Sequence, residues 1–112
     1  MEERRKNKRT ALETELLIKR LDNGADHTEV SVEVLDVSKT GIGFISTQIL
    51  QIGEIYEADL TIWTKEVLHV LLRIVRVELK ERGYFYGSVF MGMSDVDAFR
   101  IEVYQAVHDD IE

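Results

Sequence analysis

The sequence predicts a mainly β protein, a six-stranded antiparallel barrel closed by one C-terminal α-helix and preceded by a flexible basic arm. Three observations predict it. Apolar and polar residues alternate through six successive segments, residues with turn chemistry separate those segments, and helical spacing is confined to the last stretch of the chain. At 112 residues one hydrophobic core can close but two independent ones cannot, so a single domain is expected over 1–112, with the arm at 1–10, the barrel at 11–92 and the helix at 94–109.

The first strand spans residues 12–21, and Asp22, Asn23 and Gly24 supply the turn that follows. Residues 28–37 alternate, with Val30, Val32 and Val34 on one face and Ser31 and Glu33 on the other. Residues 36–41 form a turn into a short third strand at 42–47, where Gly43 admits a close neighbour, either backbone or ligand. In the fourth strand Tyr56, Ala58, Leu60 and Ile62 oppose Glu57, Asp59 and Thr61, the pattern of a sheet wet on one side. The fifth strand, 67–79, changes phase from Leu68, Val70, Leu72, Ile74 to Val75, Val77, Leu79. A bulge near Ile74 and Val75 is predicted to restore the inward face. Glu81, Arg82 and Gly83 turn into a sixth strand at 84–91, interrupted at Gly87. Val96, Phe99, Val103 and Val107 then recur at helical spacing, a stripe expected to pack on an open side of the barrel, with Ser94 and Asp97 as a capping box. Trp63 falls off the apolar face of its strand, which points to partial exposure.

Charge is distributed unevenly. Residues 1–10 carry a net +3 and the remaining 102 residues −10, which opposes a broad DNA or RNA surface because such surfaces need a basic stripe of phosphate contacts. No apolar run approaches the roughly 20 residues of a membrane-spanning helix, and no apolar segment follows the basic N-terminus as in a secretory signal, so a cytoplasmic location is expected. The absence of cysteine removes disulfides, thiolate metal sites and a thiol nucleophile. His27, His69 and His108 lack metal-ligand spacing, and no acid and base pair is set up for catalysis, so neither a metal, a cofactor nor an enzymatic activity is expected.

Two segments carry recognition chemistry. In the arm, Arg5 and Arg9 stand four residues apart, and guanidinium groups pair bidentately with phosphates and with the O6/N7 edge of guanine. In the turn, Asp36, Ser38 and Gly41 combine acceptors, a hydroxyl and backbone N–H groups. Taken alone, the first is an ordinary solvated tail and the second an ordinary strand connection.

Together, Arg5-x-x-x-Arg9 followed after two strands by Asp36-x-Ser38-x-x-Gly41 resembles the paired signature of the PilZ domain family, RxxxR and (D/N)xSxxG. Gly87-Ser88-Val89-Phe90 resembles the family's late GxxF strand, and with the terminal helix the resemblance covers essentially the whole chain. It implies a barrel whose basic arm closes over a surface patch to trap cyclic di-GMP. Arg5 and Arg9 would grip guanine edges and phosphates, and Asp36, Ser38 and Gly41 would line the barrel side. Arg4, just before the first motif arginine, points to two ligands per chain. Ordering of the arm would make a switch read by a separate, unidentified downstream protein. The alternatives are an interaction adaptor that has lost nucleotide binding and a small barrel for single-stranded nucleic acid, the latter opposed by the acidic body.

Overall fold

The computed structural model describes residues 9–21, 29–63 and 66–109; the arm up to residue 8, the turn at Asp22, Asn23 and Gly24, His27 and the side chain of Trp63 lie outside the described residues. The strands are β1 (Thr10–Arg20), β2 (Glu29–Val37), β3 (Ile42–Ser46), β4 (Ile55–Trp63), β5 (Glu66–Lys80) and β6 (Gly83–Phe90), followed by the helix α1 (Asp95–Asp109). They form a closed antiparallel barrel in the order β1-β2-β3-β6-β5-β4, in which β1 also pairs with β4. The six strands and the terminal helix agree with the sequence expectation.

The period-two pattern becomes burial directly. Val30, Val32 and Val34 of β2 and Tyr56, Ala58, Leu60 and Ile62 of β4 face the core, where they meet Ile18, Phe44, Leu72 and Tyr86. Two tyrosines carry their hydroxyls inward only because each finds partners. The Tyr86 hydroxyl accepts from the Leu50 N–H and donates to the Gln48 carbonyl, both at 2.8 Å, which ties the β3–β4 loop to the barrel. The Tyr56 hydroxyl donates to Glu54 at 2.9 Å, and burial together with that carboxylate pushes its phenol pKa upward, so Tyr56 remains a neutral donor.

Three expectations need correction. The bulge in β5 is present, since Ile74 pairs with Ser88 and Arg76 with Gly87, but it does not return the following residues to the core. Val75, Val77 and Leu79 are exposed (42%, 39% and 76%), because β4 stops pairing at Arg73 and the end of the β5–β6 hairpin extends beyond it. Gly87 does not interrupt β6, which runs unbroken from Gly83 to Phe90.

The third correction concerns the helix. Ser94 caps it as expected, its hydroxyl accepting from the Asp97 N–H at 3.1 Å. The predicted stripe of Val96, Phe99, Val103 and Val107 is nevertheless exposed, at 38% or more, and Ile101, Tyr104 and Gln105 are buried instead. The physical reason lies in the backbone of the barrel end. Tyr104 donates to the Ala11 carbonyl at 2.9 Å and Gln105 to the Val37 carbonyl at 3.4 Å, two acceptors to which an all-apolar helix face could offer no donor. Satisfying them selects the amphipathic face over the more apolar one.

Truncating Ile101 to Ala is accordingly expected to cost about 2–5 kcal/mol in chemical denaturation, as for a fully buried isoleucine, whereas Phe99→Ser is expected to change stability by less than about 0.5 kcal/mol. Equal losses for the two variants would show that the helix packs by its Val96–Val107 stripe after all.

Candidate functional site

Arg9 emerges at the start of β1, and the register decides what it meets. Thr10 pairs with Val37 and Ala11 with Asp36, so the residue ahead of Thr10 leaves the sheet beside the end of β2. There Arg9 Nη1 donates to Asp36 Oδ1 at 2.6 Å, with both side chains a little over a quarter exposed. The charge-assisted bond joins one residue from each of the two motifs across 27 positions of sequence.

A groove of about 600 Å³ opens next to this pair, lined by Arg9, Ala11, Leu35, Asp36, Arg76 and Phe85. That volume falls within the roughly 300–1,000 Å³ of small-molecule sites. Two guanidinium groups against one carboxylate give the groove a cationic lining on a chain whose net charge is −7, a local field that favours an anion. Arg76 and Phe85 were not among the sequence candidates. The Arg76 guanidinium lies 5.4 Å from the centroid of the Phe85 ring, within cation–π range. Only the cross-strand pairing of β5 with β6 brings the two together, and the available hint was the pair of glycines, Gly43 and Gly87, on which they lie.

Ser38 and Gly41 are not part of the groove lining. Ser38 is fully buried, its hydroxyl paired with the Thr40 hydroxyl at 2.9 Å and accepting the Thr40 N–H at 3.1 Å, while its own N–H donates to the Gly41 carbonyl. Gly41 is buried against β6, where a Cβ would stand 1.8 Å from the Ser88 carbonyl oxygen, so only glycine fits. Ser38 and Gly41 thus build the turn behind Asp36. Arg4 and Arg5 lie outside the described residues.

With the geometry established, comparison with known proteins gives the family. The PilZ domain profile matches residues 3–105, and the chain belongs to the PilZ domain family. The fold is similar to the PilZ domain with cyclic di-GMP of YcgR from Escherichia coli, at 13% identity and a TM-score of 0.68, covering 96% of this chain and 93% of that one. It is also similar to the inhibitor of motility MotI/DgrA of Bacillus subtilis (14% identity, TM-score 0.73, 98% of this chain and 53% of that one). A third similar structure is the MrkH–cyclic di-GMP complex of K. pneumonia (19% identity, TM-score 0.67, 97% and 52%). The chain therefore spans about half the length of MotI/DgrA and MrkH. None of the curated proteins compared by sequence matches it.

The described histidines, His69 and His108, are not among the residues that line the groove. Among the described residues no three His, Asp or Glu side chains gather as a metal site, and no helix is long and apolar enough to cross a membrane. His108 stacks on Tyr104 with ring centroids 4.0 Å apart. His69 is exposed on β5, with Nδ1 2.8 Å from Asp59 and Nε2 3.5 Å from Glu57 across the pairing with β4. The Asp59 hydrogen bond, reinforced by the charges of Asp59 and Glu57, raises the His69 pKa above its ordinary 6.5. A raised folded-state pKa means that the pair contributes stability below the unfolded value and loses it as pH rises through the folded one. Imidazole NMR titration is expected to place His69 above 6.5 in the parent and closer to 6.5 in Asp59→Asn.

Proposed function

We propose that the chain is a receptor for cyclic di-GMP that takes two molecules, changes conformation on binding and passes the signal to a separate protein. The observation that carries this reading is the Arg9–Asp36 contact beside the groove, where the last residue of Arg5-x-x-x-Arg9 meets the first of Asp36-x-Ser38-x-x-Gly41 at 2.6 Å. The ligands held by the YcgR and MrkH structures support the choice of nucleotide.

In this reading Arg5 and Arg9 donate to phosphate oxygens and to guanine O6 and N7, and Asp36 accepts from the guanine N–H groups. Ser38 and Gly41 hold the turn that presents Asp36. Arg9 exchanges part of its bond with Asp36 for bonds to the ligand, so binding and rearrangement of the segment that carries Arg9 are one event. The work done is binding, not turnover. A second reading, a protein-interaction adaptor without nucleotide binding, draws on the exposed Val96, Phe99, Val103 and Val107 of α1, an apolar stripe of the kind that partner proteins cover.

Isothermal titration separates the two. Cyclic di-GMP is expected to bind the parent at micromolar concentration or tighter, and Arg5→Ala or Arg9→Ala to weaken binding roughly tenfold or more through loss of a charge-assisted contact. Lysine at either position is expected to restore only part of the loss, since it lacks the planar fork. Single variants that bind like the parent would remove the arginines from the site, and a parent that takes no cyclic di-GMP would favour the adaptor.

Stoichiometry follows from Arg4, whose guanidinium can stack on a second guanine and offset the added phosphate charge. A molar ratio of about two in the parent, falling toward one in Arg4→Leu with binding retained, is the expected result of the same titration. A ratio of one in the parent would limit the site to a single ligand.

A further inference from the structure

The barrel leaves one strand edge open. β5 pairs with β4 only as far as Arg73, opposite Ile55. Ile74 is the next residue held on that side, its N–H donating to the Glu54 carbonyl at 3.0 Å and its carbonyl accepting from the Gly53 N–H at 2.8 Å. From Val75 to Lys80, β6 is the only strand that pairs with β5 among the described residues. The other edge of this segment therefore offers main-chain donors and acceptors to an added strand. The segment reads Val75-Arg76-Val77-Glu78-Leu79-Lys80, with no proline to blunt it. Val77 and Leu79, opposite Tyr86 and Tyr84, share one face, and Arg76 and Glu78, opposite Gly87 and Phe85, share the other. All four side chains are exposed, Leu79 at 76%.

We infer that this edge pairs antiparallel with the same edge of a second copy of the chain, about a two-fold axis at Val77. Residues directly opposite in an antiparallel pair share a face, so a symmetric pairing must be centred on a residue, and the possible registers are few. The charges choose among them. Centred on Val77, Arg76 of each copy lies opposite Glu78 of the other, and Val75 lies opposite Leu79. Centred on Arg76, two arginines meet; centred on Glu78, two glutamates meet and Arg76 faces Lys80; centred on Leu79, Arg76 faces Arg82. Like charges directly opposite destabilise a sheet and opposite ones support it. The stretch from Val75 to Leu79 is also symmetric about Val77 and lies wholly within the open edge. Within one chain Glu78 already reaches Arg76 at 3.5 Å and Lys80 at 3.2 Å, so the charges are laid out in a row before a second copy arrives. Reversed in direction, the segment is its own charge complement, and that selects a second copy over a partner of unrelated sequence. The inference is independent of the nucleotide reading above.

The test uses the full chain without added nucleotide. Sedimentation is expected to show the parent passing from the mass of one chain toward that of two over roughly 10–500 μM, as suits a short junction. Glu78→Lys is expected to weaken association fivefold or more, and Arg76→Glu combined with Glu78→Lys to restore it. Because the chain has no cysteine, single introduced cysteines report the register under mild oxidation. Val77→Cys places two Cα atoms about 4.5–5.5 Å apart across the axis, within disulfide span, whereas Leu79→Cys places them roughly 13 Å apart. Val77→Cys is therefore expected to cross-link at least tenfold faster than Leu79→Cys, although position 79 is the more exposed, 76% against 39%, and random collision would give the reverse order. A parent that keeps the mass of one chain throughout, or Leu79→Cys cross-linking as fast as Val77→Cys, would overturn the pairing. Association untouched by Glu78→Lys but lost in Phe99→Ser would overturn it too, by assigning assembly to α1.

Discussion

Gly41 passes so close to β6 that its missing side chain sets the geometry of one side of the barrel. Its hypothetical Cβ overlaps the Ser88 carbonyl, and the same turn is fastened by the Phe90 N–H, which donates to the Thr40 carbonyl at 2.7 Å. With these contacts β3 enters the sheet at one height relative to β6, and Gly43 then falls opposite Gly87. Any side chain at position 41 drives the two strands apart and disturbs that register, and a slip of one residue would turn outward positions inward. Asp36, Gly43, Gly87 and Arg76 would no longer share a row. The groove that Asp36 and Arg76 line is therefore a consequence of how tightly a turn fits against a neighbouring strand.

Much of this was legible in the residues themselves. The alternation in β2 and β4 translates one for one into burial, because each lies in a closed sheet with water on one face and the core on the other. The meeting of Arg9 with Asp36 was legible only as a motif resemblance, since nothing local joins residues 27 apart until β1 and β2 pair. Arg76 and Phe85 are not legible in the sequence for a related reason. One follows a bulge and the other stands two residues before a glycine, and their contact exists only across the β5–β6 ladder.

In the helix and at the end of β5, apolar content and burial part company. Val96, Phe99, Val103 and Val107 make the more apolar face, but Tyr104 and Gln105 can both bury a body and deliver a donor to a backbone acceptor. Val75, Val77 and Leu79 show the same limit in a strand. Their alternation is regular, but β4 ends before it can continue alongside them. Periodicity identifies a face; the neighbours decide whether it is covered.

The anchoring of α1 has a consequence for how freely the barrel rim can vary. Tyr104 and Gln105 bind the carbonyls of Ala11 and Val37, groups that every amino acid supplies identically. The helix is thus attached to the path of the main chain, not to particular side chains at positions 11 and 37. Substitutions that preserve the strand can accumulate there without compensating changes in the helix. Ala11 also borders the groove beside the Arg9–Asp36 pair, so the rim can change the groove's lining while the helix stays docked. Such decoupling lets the groove change its chemistry without dismantling the scaffold that carries it.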